Sequence, residues 1–344
     1  MDLASVLFYD DLVNLLEIST LTTLSKKLSQ RVNWKIPIKT HLSKRKYYFL
    51  EVGNEYNRLK PMELEASARY HEVSHSDKFG KLGRCLENFP VRGDWRYTRV
   101  VGIKVRGSSR FSTECFDSIM SEISKALEFL DSECQYHWGP TSDYLSPDQE
   151  STLAEVLRNV PFTHLIFTNV SRMRIFSPHL ASHRRLRCMH MYFGYLCSAD
   201  EEFLSILEAV IKQPQFQKLL LKSHDRGNLK IFEMCLEKWR KDEKFQFYAV
   251  APVQDVKSDL AKLMKQFHEK DGVTHFAQRY SPNSDNYLLA KYEEMKYGPS
   301  VTMCSLNRNR KFNDFPMGIK FVHPMHKPPR NTMKTIFNGD DFVL

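Results

Sequence analysis

The stretch Ser198–Leu221, SADEEFLSILEAVIKQPQFQKLLL, decides the predicted fold. Ser198 and Glu201 have the spacing of a capping box, which predicts the start of a helix. Pro214 ends that helix because proline has no backbone N–H. The alternating Phe216–Leu221 segment then predicts a strand. The apolar residues between the two ends recur with helical spacing and share one face: Phe203, Ile206, Leu207, Val210 and Ile211. One helix and one strand cannot bury these faces alone, so copies are expected.

The strand pattern apolar-x-x-apolar-x-apolar recurs along the chain. It begins at Phe162, Leu186, Phe216 and Phe245, with a weaker copy at Val273. Successive starts lie 24, 30, 29 and 28 residues apart. Periods of about 20–30 residues with this core are typical of leucine-rich repeats, although the usual Asn is absent. The sequence therefore predicts an α/β fold, an irregular leucine-rich-repeat-like solenoid. Its parallel, adjacent strands are expected near residues 164–168, 187–192, 217–221 and 245–250.

Further elements are predicted on both sides of these repeats. Ser146 and Gln149 form a second capping box, and a long apolar stripe from Phe116 to Leu130 predicts a helix. Residues 132–147 are interpreted as an aromatic loop. Two more helices are expected after Asn228 and Asp255. The remaining predicted strands are Tyr47–Val52, Tyr70–Val73, Val100–Val105, Tyr287–Tyr292 and Val301–Ser305.

Residues 5–34 predict two or three short helices, with Trp34 and Pro37 marking their end. Such helices make too little core to stand alone, so they must pack on the next domain or on another protein. The segments LFYDDLV at Leu7–Val13, Leu15-Leu16, Leu21-x-x-Leu24 and Val32-Asn33-Trp34 resemble a shortened F-box. Together with the repeats, the chain resembles a nematode-expanded family that combines an F-box-like start with divergent leucine-rich-like repeats.

That resemblance implies a domain plan and a function. The plan is an F-box-like helical module at 1–46, a repeat domain at 47–306 and a basic, partly disordered tail at 307–344. The function implied is a non-catalytic protein-interaction adaptor, similar to the substrate-recognition subunits of Skp–cullin–F-box ubiquitin ligases. The residues implied to bind the Skp-type adaptor are Leu7, Phe8, Leu12, Leu15, Leu16, Leu24 and Leu28. An equally open alternative is that the helices cap the first repeat.

Composition predicts the compartment. Apolar residues make up 42% and charged residues 26%, which is ordinary for a globular protein. No apolar run reaches the roughly 18 residues that a membrane helix needs. The start of the sequence lacks the basic region of a secretory signal, and seven scattered cysteines suit reduced thiols better than a disulfide framework. A cytoplasmic or nuclear location is therefore expected.

The net charge of +9 is concentrated in three segments. Eight Lys or Arg and no acid lie between Lys26 and Lys46, and six Arg and no acid lie between Val156 and Ala199. The tail from Asn307 is also basic. Basic surfaces attract acidic proteins or phosphates. The predicted partner-binding residues are Arg172, Arg174, Arg184, Arg185 and Arg187, and the expected partner is an acidic protein segment. The alternative is a nucleic-acid-binding protein that uses these five arginines, the arginine band, together with the basic tail.

The sequence shows no familiar catalytic motif. Phosphate loops, Gly-x-Gly-x-x-Gly, Gly-x-Ser-x-Gly and Cys-x-x-Cys are absent. His179 and His183, with Cys188 and His190 nearby, are interpreted as exposed residues of an Arg-rich turn rather than as a zinc site. We therefore predict no enzyme, no catalytic residues, no metal and no cofactor.

Overall fold

The computed structural model describes residues 3–16, 18–28, 32–56, 64–73, 85–86, 95–106, 112–138, 146–158, 160, 162–167, 180, 183–193, 201–223, 229–252, 267–270, 273–281, 284, 286–295 and 298–307. The helices within these ranges are α1 Leu3–Leu15, α2 Ile18–Lys27, α3 Val32–Lys44, α4 Thr113–Leu127, α5 Pro147–Leu157, α6 Glu201–Ile211 and α7 Leu229–Lys241. A 3₁₀ turn spans Trp95–Tyr97.

The described strands form one 13-stranded sheet. They are β1 Lys46–Tyr56, β2 Leu64–Val73, β3 Cys85–Leu86, β4 Thr98–Arg106, β5 Leu130–Trp138, β6 Phe162–Phe167, β7 Cys188–Phe193, β8 Lys218–Ser223, β9 Gln246–Pro252, β10 Phe267–Lys270, β11 Val273–Arg279, β12 Asn286–Met295 and β13 Gly298–Asn307. The order across the sheet is β10-β11-β12-β13-β9-β8-β7-β6-β5-β4-β1-β2-β3.

The middle of the sheet confirms the predicted strand arrangement. Strands β6, β7, β8 and β9 are adjacent, parallel and in chain order. Helix α6 connects β7 to β8, and α7 connects β8 to β9. The register aligns Leu165, Met189, Leu219 and Phe247, which share one buried row. The spacing of apolar residues predicted these strands because side chains alternate along a strand. The predicted buried face is correct in β6, β7 and β8. In β9 the predicted positions Tyr248 and Val250 lie on the opposite face, and Phe247 and Ala249 are buried instead.

The predicted leucine-rich-repeat-like solenoid is nevertheless wrong. In a solenoid each repeat adds a strand in the same direction beside the last. Here the chain passes from β9 through three strands placed beyond β13, so β13 rather than β10 lies next to β9. The pairs from β9 to β10 are all antiparallel, as are β1–β2 and β2–β3 at the other edge. The architecture is an open mixed α/β sheet with a parallel centre.

Two local predictions also fail. The predicted loop at 132–147 contains most of β5, whose Cys134 and Tyr136 are buried in the core while Gln135 and His137 alternate to the other face. Pro37 does not end the N-terminal helices but is buried within α3. Tertiary burial of neighbouring Ile38 offsets the backbone hydrogen bond that proline removes. Most of the helix expected after Asp255, residues 255–266, lies outside the described residues, but Phe267, expected at its end, belongs to β10. Residues 308–344 of the tail also lie outside them.

Helices α4 to α7 share one core with the sheet. Buried residues of these helices, among them Phe116, Leu153, Leu207 and Trp239, belong to the same cluster as the strand residues that face them. The capping box that begins α5 is present, since the backbone N–H of Gln149 donates to Ser146 and the reverse contact also forms. We call the sheet surface under these helices the helix-covered face and the opposite surface the second face.

Candidate functional site

The N-terminal helices α1–α3 form a module with a small core of their own. Val13, Leu21 and Ile38 are fully or almost fully buried in it, and Leu16, Leu24, Trp34 and Leu42 pack around them. Leu42 also packs against a second cluster on the second face of the sheet, made of Tyr47, Phe49, Val73 and Val101. This N-terminal module is therefore seated on the first strands of the sheet.

Two arginines fix the end of α1. Arg45 is buried, and its guanidinium donates to the carbonyl oxygens of Leu16 and Val13, each at 2.6 Å, and of Asn14 at 3.1 Å. Arg99 from β4 donates to the Asn14 carbonyl oxygen at 2.8 Å and also contacts its side-chain oxygen. The last carbonyls of a helix lack partners within the helix and carry partial negative charge, so cations suit this position.

A polar contact ties the middle of α1 to α3. His41 Nε2 lies 3.1 Å from Asp10 Oδ1, and Arg45 Nε donates to His41 Nδ1 at 3.3 Å. The second contact makes Nδ1 the acceptor, so Nε2 carries the proton and donates to Asp10. Burial lowers the pKa of His41, and the Arg45 guanidinium lowers it further. The imidazole is therefore neutral at pH 7.

The same module leaves apolar side chains uncovered. Phe8 is 59%, Leu15 76% and Ile36 57% exposed, and these are the exposed large hydrophobic residues among those the structure describes. Of the residues predicted to bind an adaptor, Phe8 and Leu15 are thus exposed. Leu12, Leu16, Leu24 and Leu28 are half-buried, and the side chain of Leu7 lies outside the description. That these seven residues together bind an adaptor remains a prediction.

The second face carries a row of polar side chains across the parallel strands. Register places Glu51 beside Lys104, Lys104 beside His137, and His190 two strands further on. Glu51, His137 and His190 are all buried. Cations on this face of the parallel strands include Lys104, Arg106, Lys218 and Lys222, and the Glu51 carboxylate lies next to the first two. The sequence did not single out this row because its members lie on separate strands.

Contacts within the row are concentrated at its β1–β5 end. Glu51 Oε1 lies 3.0 Å from Arg106 Nη1, and Oε2 lies 3.5 Å from Lys104 Nζ. His137 Nε2 is fully enclosed and has no hydrogen-bond partner. Burial lowers the pKa of His137 to about 3, and Lys104 and Arg106 contribute to the shift. We call Glu51, Lys104, Arg106 and His137 the second-face cluster.

Cys188 and His190 form a neighbouring pair on β7. The Cys188 sulfur lies 3.4 Å from His190 Nε2. Burial raises the pKa of the Cys188 thiol to about 12 and lowers that of His190 to about 4. A nucleophilic cysteine needs a lowered thiol pKa beside a basic imidazole. At pH 7 both groups are neutral, so the pair is a buried contact and not an activated thiol.

The structure does not show the five predicted arginines of the band together, because it describes only three of them. Arg172 and Arg174 lie outside them. Arg184 and Arg185 are exposed in the turn before β7, and Arg187 is exposed with its guanidinium 3.8 Å from Glu133. These three arginines therefore precede the amino end of β7, and their role as partner-binding residues stays a prediction. His183 Nε2 lies 2.8 Å from the Val160 carbonyl oxygen. Within the described part of the chain, no cluster of three potential metal ligands occurs.

Among the described residues, no helix has the length and apolar character required to cross a membrane. No protein-family model and no curated protein sequence matches the chain. Similar solved structures include the ribokinase of Giardia lamblia, at 8% identity and a TM-score of 0.20, covering 61% of this chain and 68% of that one. Another is a "putative sugar kinase" from Clostridium perfringens, at 7% identity and a TM-score of 0.19, covering 69% and 75%.

These comparisons correct the predicted function. Both names denote enzymes, and this finding contradicts the predictions of a non-catalytic ubiquitin-ligase adaptor and of a chain that is not an enzyme. The two similar structures give no support to an F-box-like module or to leucine-rich repeats. They also give no support to the nucleic-acid-binding alternative. At TM-scores of 0.20 and 0.19 the likeness carries neither a fold nor a sugar-kinase reaction to this chain.

Proposed function

We propose that the N-terminal module binds a partner protein, and that its partner is the Skp-type adaptor implied by the sequence resemblance. The observation that carries this proposal is the exposure of Phe8, Leu15 and Ile36 on one small module. Exposed apolar patches on otherwise polar surfaces mark interaction sites. The proposal concerns partner binding alone and is independent of any reaction that the chain carries out.

The faces of α1 support a docking role. Phe8, Leu12 and Leu15 are spaced at i, i+4 and i+7, so they share one side of the helix. The other side holds Val13, which is fully buried, and Tyr9, whose ring lies 4.8 Å from the ring of Trp34. The core of the module is thus formed by other residues and does not need Phe8 or Leu15. These two side chains remain available to a partner.

The charge of the module indicates what the partner surface contains. The exposed lysines of α2 and α3 are Lys26, Lys27, Lys35, Lys39 and Lys44, whereas Asp11 is an exposed acid of α1. Charge complementarity across an interface steers association and fixes its register. The partner therefore presents an apolar patch bordered by acidic residues.

Binding of the purified full chain to a purified Skp-type adaptor tests the proposal. The variant Phe8→Asp with Leu15→Asp should weaken binding by about 100-fold or more, since each change removes buried apolar contact and adds a charge. Its thermal transition should stay close to that of the wild type because both residues are exposed. Thr20→Asp with Ser43→Asp is the matched control, as it adds two carboxylates at exposed positions of the module.

Two results would contradict the proposal. One is an adaptor that does not bind the wild-type chain. The other is equal binding by the wild type and by the Phe8 and Leu15 double variant. If the Phe8 and Leu15 double variant unfolds and the control variant does not, then Phe8 and Leu15 support the module's own core. In that case Ile36→Asp, which changes another helix, provides the second measurement.

The location that suits this partner is the cytoplasm or the nucleus. Five cysteines have described side chains, and none of these five is disulfide-bonded: Cys115, Cys134, Cys188, Cys235 and Cys304. All five are buried. Reduced thiols persist in these compartments, whereas secreted proteins favour disulfides. Microscopy of the chain tagged at its C-terminus should show intracellular signal outside the secretory pathway, and signal in the endoplasmic reticulum would contradict this location.

A further inference from the structure

The second-face cluster combines an unsatisfied buried imidazole with unevenly matched charges. His137 is only 8% exposed, and its Nε2 atom has no hydrogen-bond partner. Such a group costs free energy unless something pairs with it. Glu51 Oε2 is likewise enclosed without a hydrogen bond, although Lys104 Nζ lies 3.5 Å away. The cluster is therefore polar, buried and incompletely paired.

The charges favour an anion over a cation. Lys104 and Arg106 share one carboxylate, that of Glu51, so the three groups together carry one excess positive charge. Lys104 has three N–H donors and Arg106 has five, and Glu51 occupies few of them. A guanidinium, an ammonium and an imidazole N–H are the donors that proteins use to bind phosphate and carboxylate groups.

The position of the cluster allows entry from solvent. Lys104 and Arg106 lie in the last three residues of β4, and His137 is next to the last residue of β5. Ligands of open α/β sheets bind near the carboxyl ends of parallel strands. The Arg106 side chain is 52% exposed, whereas Lys104 is 17% exposed. The cluster therefore extends from solvent at Arg106 to the enclosed His137.

We infer that the second-face cluster binds a ligand bearing an oxyanion group, a phosphate or a carboxylate, between Lys104, Arg106 and His137. The ligand oxygens accept hydrogen bonds from Lys104 Nζ, from the free edge of the Arg106 guanidinium and from His137 Nε2–H. Glu51 holds both cations in place and keeps the empty cluster from carrying two uncompensated charges. This binding is separate from partner docking because no residue of the N-terminal module takes part.

Titration of the full chain with inorganic phosphate and with succinate, each against chloride at equal ionic strength and pH 7, tests the inference. Side-chain ¹H–¹⁵N NMR follows the imidazole of His137, and calorimetry measures the affinity. The His137 signal should shift saturably with one or both anions. Saturation with phosphate only assigns a phosphate-bearing ligand, and saturation with succinate only assigns a carboxylate-bearing one.

Variants locate the site. Lys104→Met and Arg106→Gln should each weaken binding by about 10-fold or more, because each removes a charge-assisted donor. Lys222→Met is the matched control, since Lys222 is also a partly buried lysine of the second face but lies on β8. Its affinity should be unchanged. Arg106→Gln keeps the test decisive if Lys104→Met does not fold, since Arg106 is half exposed.

Three results would overturn the inference. The first is that neither anion shifts the His137 signal more than chloride does. The second is wild-type affinity in a folded Lys104→Met or Arg106→Gln variant. The third is a loss of affinity in Lys222→Met equal to that in the cluster variants, which would indicate general charge attraction instead of a defined site.

Discussion

Arg45 Nη2 donates to the Val13 carbonyl oxygen at 2.6 Å, which joins the residue that follows α3 to the last turn of α1. Val13 is fully buried, so this contact lies inside the module. The N-terminal helices are too short to be stable alone, and contacts of this kind hold them together and to the sheet.

Arg45→Met should therefore destabilise the chain. Three carbonyl oxygens lose a charged donor, and the expected loss is about 2–4 kcal/mol in the free energy of unfolding. Denaturant titration measures this loss. Lys39→Met, an exposed lysine of the same module, should change stability by less than about 0.5 kcal/mol. A loss of that small size in Arg45→Met would show that the contacts to α1 add little.

Leu16→Asp should also destabilise the module, unlike changes at Leu15. Leu16 packs against the cluster of Val13, Leu21 and Ile38, whereas Leu15 is 76% exposed. Placing a carboxylate against that cluster costs about 1–3 kcal/mol or more. Thermal unfolding of Leu16→Asp and Leu15→Asp, measured side by side, should separate the two positions. Equal transitions would mean that Leu16 contributes little to the core.

Leu219→Asp should be severely destabilising. Leu219 is completely buried between Met189 and Phe247, at the centre of the parallel strands. An unpaired charge there has neither water nor a partner, so a loss above about 4 kcal/mol or failure to fold is expected. Gln217→Asp, at an exposed position two residues away, is the control. Circular dichroism and denaturant titration measure both. A Leu219→Asp chain as stable as the control would place this row outside the core.

Gly102→Ala should disturb the packing of the second face. A Cβ atom at this position would lie 2.4 Å from Phe49 Cε2 and 2.7 Å from Gln135 Cγ. Overpacking of a buried site costs about 1–3 kcal/mol. Phe49→Leu should recover part of that loss in the double variant, because it shortens the side chain that meets the new methyl group. Additive losses in the double-mutant cycle would show that the two residues do not interact.

Stability should fall as the pH drops from 7 to 5.5. The folded-state pKa values of His137 and His190 are lowered to about 3 and about 4 by burial, with nearby cations contributing. The unfolded chain binds protons near pH 6.5, whereas the folded chain keeps both imidazoles neutral. Protonation therefore favours unfolding below pH 6.5, by about 1 kcal/mol per histidine at pH 5.5.

The double variant His137→Gln with His190→Gln provides the comparison. Its stability, measured by denaturant titration at the same pH values, should depend less on pH over this window. Carboxylates titrate mainly below it, so they contribute little to the difference. An unchanged pH dependence would mean that the two imidazoles take up protons in the folded state as readily as in the unfolded chain.

The sequence by itself determined the parallel centre of the sheet. Alternation of apolar residues around Leu165, Met189 and Leu219 predicted both the strands and the face they bury, whereas in β9 it predicted the strand but the wrong face. This succeeded because side chains alternate along a strand, and that period is visible within six residues. The helical spacing in α6 and the capping box of α5 could be predicted for the same reason, because each depends only on residues close together in the sequence.

Only the tertiary structure decided the rest. The Val273 copy looked like another repeat, but β11 pairs antiparallel with β12, because strand direction depends on which distant segment supplies the partner. Pro37 remains helical because burial of its neighbours offsets its intrinsic cost. Glu51, Lys104 and His137 are far apart in the chain and meet only through the register of β1, β4 and β5. Local patterns fix which residues are buried, whereas non-local pairing fixes which residues meet.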